Sequence, residues 1–250
     1  MTTAVDVADI RRVAGPETWR LADNEYRRFA KLLRQLDADE WSRATDCHRW
    51  DVRAIALHIL GWMEANASPV ELVHQFRRGL PLNKTIEHRH FVDGVNELPV
   101  QERDHLLPAE LMVRLEATIA KAFRGRIAVP PPLRWAPLPL ESPIGWKPLS
   151  YLLNIGFTRD TWMHRIDVCR ATRRDPTLSA DHDARIIADL VAEWGRRHRE
   201  PFTLALGGPA GGRYRQGADG ESIEIDAVEF CRILAGRETS GGVLRHKLPL

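Results

Sequence analysis

Asp160, His164 and Asp167 stand four and three residues apart in RDTWMHRID, inside a strongly apolar stretch of helical periodicity. Residues spaced in this way share one face of a helix. Ionisable groups on an apolar face are costly unless they are paired, hydrogen-bonded or bound to a metal. The motif therefore favours a helical bundle, because bundle interiors are where facing helices build metal sites. The carrying helix is predicted from about Leu149 to Ala171. It opens after Pro148 and is ended by the break from Arg173 to Pro176.

His58 is a second ionisable residue in apolar company, in VRAIALHILGW. Ile55, Ile59 and Trp62 place it on or near a buried face. Two histidines and a carboxylate from two helices make a three-ligand site with open positions, so His58, Asp160 and His164 are the candidate metal ligands. Taken singly, His58 also reads as a satisfied core histidine, and Asp160 with His164 as a helix-surface pair. Asp167, near Arg165 and Arg170, reads as a salt-bridge or supporting residue rather than a ligand. The remaining histidines (48, 74, 88, 90, 105, 182, 198 and 246) read as mostly exposed, and His88-Arg89-His90 has no carboxylate in helical register. Cys47 is close enough in sequence to His58 to be a minor rival ligand.

The rest of the chain is punctuated by proline and glycine. One helix is predicted after Pro16, with Trp19, Leu21, Tyr26, Phe29, Leu32, Leu33 and Leu36 as its apolar stripe. A second begins near Asp51 and runs toward Arg78, with a break or kink at Pro69. Residues 85–98 read as short helix or irregular chain, and another helix follows Pro108. A long loop holds prolines 130, 131, 132, 137, 139 and 143; loops of this length are more often functional than filler. Trp135 and Trp146, in the segment 125–147, could wall off the site. Ser179 is the expected cap of a helix to about Arg197. Short strands are expected at 202–206, 213–215 and 222–225, with a helix capped by Asp226 and stopped by Gly236. The expected fold is mainly α: a helical bundle over 1–177, then a small α/β domain over 178–250.

Bulk properties exclude several classes. The net charge of +2 gives no electrostatic case for nucleic acid or an anionic membrane. No apolar run approaches the roughly 20 residues that span a bilayer, and the N-terminus lacks a signal-peptide pattern. The three cysteines form no close pair and fit reduced thiols, so a cytoplasmic chain is expected. GGPAGG at 207–212 lacks the Lys-Ser/Thr of a phosphate loop and its strand–loop–helix setting.

The segment from Trp41 to His58, with Trp41, Thr45, Cys47, Trp50, Val52 and Ile55, resembles the N-terminal stretch of the mycothiol-dependent maleylpyruvate isomerase family. RDTWMHRIDVCRA is similar to that family's second metal segment, where a carboxylate and a histidine stand four apart. FTLAL, the Gly-rich turn, DAVEFCRILAGR and the tail GVLRHKLPL resemble its C-terminal domain. The resemblance implies a DinB-like four-helix bundle followed by a small sterol-carrier-like domain. It further implies a divalent metal, usually zinc, on His58, Asp160 and His164, with mycothiol as cosubstrate. The characterised isomerase has Glu where this chain has Asp160, one methylene shorter.

The expected function is a metal- and mycothiol-dependent transferase or isomerase acting on an electrophilic small molecule through a metal-bound thiolate. A non-catalytic metal- or ligand-binding protein of the DinB-like superfamily is the alternative. Arg237, in LAGR, is a candidate catalytic residue that would hold an anionic group if the small domain folds over the bundle. Its other reading is a solvated Arg at a helix C-terminus.

Overall fold

The computed structural model describes residues 3–85, 92–140 and 144–248. In chain order it contains β1 (Val5–Asp6), α1 (Pro16–Leu33), α2 (Val52–Ala67), α3 (Pro69–Leu82), α4 (Asp93–Arg103), α5 (Pro108–Ala128) and α6 (Pro131–Arg134). There follow β2 (Pro137–Pro139), β3 (Trp146–Pro148), α7 (Leu149–Tyr151), a π-helical turn (Leu152–Gly156), α8 (Phe157–Thr172) and α9 (Asp183–His198). The chain closes with β4 (Phe202–Gly207), β5 (Gly212–Gln216), β6 (Glu221–Asp226) and α10 (Ala227–Leu234). Among the described residues no helix is long and apolar enough to cross a membrane.

Two compact units emerge, Gly15–Asp175 and a second made of Met1–Ala14 with Pro176–Leu250. The first fourteen residues thus leave the bundle to which the sequence reading assigned them. The cause is β1, two residues long, which pairs in parallel with β5 through Val5–Tyr214 and Asp6–Arg215. So short a strand has no periodicity to read.

In the larger unit α1 and α2 each pack on both α5 and α8, which closes a four-helix ring. Phe29, Leu33, Ile55, Leu60, Leu111, Leu115 and Val168 fill its interior. Burying such side chains is worth about 1.5–3 kcal/mol each. Ser68 ends α2 and caps α3, accepting from Glu71 N, and Pro69 opens α3; the expected break at Pro69 is a full helix boundary. His88-Arg89-His90 lies outside the described residues. The proline-rich segment is not bare loop: it holds α6 and the β2–β3 hairpin, in which Pro139 faces Trp146.

In the smaller unit the sheet order is β1-β5-β4-β6, with β4 antiparallel to β5 and parallel to β6. Phe202, Leu204, Tyr214 and Ile223 are its buried positions. Trp194 of α9 packs on Phe202 and Phe230. Ser179 does not cap α9. It forms the preceding turn, where its N and Oγ donate to Asp183 Oδ2 at 2.8 and 3.2 Å, so the helix begins four residues later. His182, expected to be exposed, is fully buried in that turn.

Candidate metal centre

The loop before α2 is tied by one hydroxyl. Thr45 Oγ1 donates to the Trp50 carbonyl at 2.6 Å and accepts from Cys47 N at 3.2 Å. Asp51 then caps α2, accepting from Ala54 N at 2.7 Å. Asn, Asp, Ser and Thr caps of this kind satisfy the orphan N–H groups of the first turn. The cap fixes where α2 begins, and so which face carries His58 two turns on.

His58 is 1% exposed, and among the described residues neither of its ring nitrogens has a hydrogen-bond partner. Leaving a buried polar group unpaired costs about 1–3 kcal/mol. His58 Nε2 lies 3.4 Å from Asp160 Oδ2, and His164 Nε2 lies 3.6 Å from Asp160 Oδ1. One carboxylate thus presents an oxygen to each imidazole at separations too long for good hydrogen bonds. Ligand atoms of the three residues all lie within 4.8 Å of one another, and Cys47 is not in the group. Zinc bonds of about 2.0–2.1 Å put tetrahedral ligands roughly 3.3 Å apart. The donor set, its spacing and the orphaned imidazole therefore fit a divalent metal.

The surroundings orient these groups. Asp167, fully buried, faces His164 Nδ1 through Oδ2 at 3.1 Å. Arg165 pairs with Glu25 at 2.6 Å and Arg170 with Asp46 at 2.8 Å. The Trp50 ring stands 4.5 Å from the His58 ring and 5.7 Å from that of His164, and its Nε1 donates to Glu97 Oε2 at 3.1 Å. Trp135 and Trp146, expected as walls, are 75% and 70% exposed. The aromatic beside the histidines is Trp50, whose signal was its place directly before the cap residue. Burial pushes the Tyr26 phenol up; the Arg126 guanidinium opposes this, and the Asp160 carboxylate adds to it.

Arg237 belongs to the other unit. It is half-buried after α10, and its Nη1 donates to the Ala235 carbonyl at 3.3 Å.

Comparison with known proteins adds an independent line. A sequence model described as "Mycothiol maleylpyruvate isomerase N-terminal domain" matches residues 22–169, a span holding all three candidate ligands. Two solved structures share the fold: the crystal structure of the mycothiol-dependent maleylpyruvate isomerase, at TM-score 0.55, and that of a histidine-to-alanine mutant of it, at 0.54. Each is 18% identical, and each alignment covers 96% of this chain and 94% of the other. No curated protein matches the chain.

Proposed function

The chain belongs to the mycothiol maleylpyruvate isomerase N-terminal domain family, and on that premise we propose that it is a metal- and mycothiol-dependent isomerase or transferase of an electrophilic small molecule. The observation that carries the reading is the His58 imidazole, buried beside Asp160 and His164 with neither nitrogen hydrogen-bonded among the described residues. His58, Asp160 and His164 would hold one divalent ion, and zinc, which takes His₂-carboxylate sets, is the ion we propose. Such an ion stabilises the thiolate form of a thiol at neutral pH.

The chain's own residues prepare the site. His164 Nδ1–H donates to Asp167 Oδ2, which leaves Nε2 of the neutral ring to serve as the ligand atom beside Asp160. The carboxylate fixes the tautomer and the orientation of the ring, as carboxylates beside metal-ligating histidines do. The Trp50 ring lies against both imidazoles. The nucleophile is the cosubstrate's sulfur, since none of Cys47, Cys169 and Cys231 joins the ligand group. In an isomerisation the thiolate sulfur bonds to one alkene carbon while the π pair moves onto the conjugated carbonyl as an enolate, the resulting C–C single bond rotates, and the enolate re-forms the alkene as the S–C bond breaks and returns the thiolate. In a transfer the S–C bond is kept and the enolate carbon takes a proton from water. Arg237 enters as a candidate contact for an anionic group: Arg237→Gln is expected to raise KM with metal content intact. The three cysteines form no disulfide among the described residues, which fits a reducing compartment, and a cytoplasmic activity is part of the proposal.

The test is a panel of electrophiles, maleylpyruvate among them, assayed with mycothiol and other thiols, with and without a chelator. Turnover that needs both the metal and mycothiol supports the reading. Turnover indifferent to the chelator, or none with any thiol, favours a binding protein instead.

A further inference from the structure

Arg126 is fully buried, yet among the described residues it has no carboxylate partner. Its Nε donates to the Leu153 carbonyl at 3.1 Å, and Nη2 donates to the same oxygen. Nη2 also reaches Thr158 Oγ1 at 3.3 Å, and Nη1 reaches Tyr26 Oη at 3.4 Å. The guanidinium lies 5.7 Å from the Phe157 ring and 6.0 Å from that of Tyr26. Among the described residues every hydrogen bond of this buried cation ends on a neutral oxygen. Without a counter-charge the burial is expensive, and an apolar residue of similar volume would fill the space at lower cost.

What Arg126 grips is the place where the metal-bearing helix changes its winding. Leu153 lies in the π-helical turn Leu152–Gly156, which Phe157 N closes by donating to the Leu152 carbonyl. Thr158 is two residues before Asp160. At 3.6 residues per turn, one extra residue rotates everything after it by about 100°. The π turn therefore decides whether Asp160 and His164 face His58 or turn away from it. Single π turns are rare and cluster at functional sites.

We infer that Arg126 is a positioning residue of the metal site: by holding the Leu153 carbonyl and Thr158 it fixes the π turn, and with it the rotation that aims Asp160 and His164 at His58. The inference rests on the reading that these three residues bind a metal.

The test uses the full chain and two readouts, the zinc dissociation constant by chelator competition and the absorption spectrum of the cobalt-loaded protein. Arg126→Met is expected to weaken zinc binding at least tenfold and to alter the cobalt spectrum. Arg126→Lys, which keeps one donor, should recover part of both. Leu111→Ala, a fully buried α5 position outside the ligand set, should lower the melting temperature but keep zinc affinity within twofold. Wild-type affinity in a folded Arg126→Met protein would overturn the inference, as would an equal loss of affinity in Leu111→Ala. If Arg126→Met does not fold, Arg126→Lys decides alone, with weakened binding supporting the role and wild-type binding overturning it. A wild-type chain that takes up no divalent ion would remove the metal reading and this inference together; a wild-type chain that binds while the Arg126 variants bind equally would remove this inference only.

Discussion

His164 turns its two ring nitrogens to two different carboxylates: Nδ1 to Asp167 at 3.1 Å and Nε2 to Asp160 at 3.6 Å. The first contact is buried and within hydrogen-bond range, and the second is too long for a hydrogen bond. Asp167→Asn keeps the volume and removes the charge. Loss of such a supporting carboxylate typically costs 10–100-fold in metal affinity. The zinc dissociation constant of Asp167→Asn should rise by about tenfold with an unchanged circular dichroism spectrum, and an unchanged constant would deny Asp167 that role.

Metal analysis of the purified chain should return about one divalent ion. His58→Ala and His164→Ala should each remove most of it, because a three-ligand site that loses one donor keeps only two. Full metal in both variants would exclude the triad.

The spacing of Asp160, His164 and Asp167 was legible because α8 has regular winding over those residues. His58 was legible because an ionisable residue interrupts an apolar run. The π turn was not legible: LLNIG carries no signal that separates five-residue from four-residue closure, since the choice depends on what Arg126 and Tyr26 offer from other helices. The start of α9 was misplaced for a related reason. Ser179 has the chemistry of a cap, but Asp183 takes its N–H and hydroxyl and holds it in a turn. The place of residues 3–14 was not legible, because the pairing of Val5 with Tyr214 links positions far apart in sequence.

The cysteines should differ sharply in reactivity. Cys169 and Cys231 are buried, and Cys47 is partly exposed. Burial pushes the Cys169 thiol up to about 11, and the thiolate is the reactive form. Iodoacetamide at neutral pH, followed by peptide mass mapping, should label Cys47 first. Cys169 should label only on unfolding; labelling of Cys169 in the native chain at the rate of Cys47 would contradict its placement.

His198 gives the smaller unit a pH dependence. Burial, then the neighbouring His246 and Arg245, lower it from 6.5 to about 4, against an opposing pull from Glu200. Its ring stacks on His246 at 5.1 Å and lies 4.3 Å from Trp194, and its Nδ1 accepts from Glu200 N at 3.0 Å. The folded state thus holds a neutral imidazole that the unfolded chain protonates below about pH 6.5. The unfolded state binds more protons between pH 6.5 and 4, so stability should fall as pH drops through that window. The contribution is level above 6.5 and below 4. His198→Phe should flatten that part of the melting-temperature profile, and an NMR titration of His198 with a midpoint near 6.5 would remove the effect.

Gly125, one residue before Arg126, sets the approach of α5 to α2. A Cβ at this position would collide with the Asn66 carbonyl oxygen and press on Ala67 Cα at 3.2 Å. Two effects of Gly125→Ala oppose each other. Alanine is favoured over glycine inside a helix by about 1 kcal/mol. Overpacking costs about 1–3 kcal/mol where neighbours can shift. Here the obstacle is backbone, which yields less readily than a side chain, so the collision should prevail. Gly125→Ala is expected to destabilise the bundle by about 1–2 kcal/mol in urea melts with an unchanged m-value. Because α2 carries His58 and α5 carries Arg126, the forced separation of the two helices should also weaken zinc binding. A variant as stable as wild type would mean that α2 and α5 do not approach so closely at Gly125.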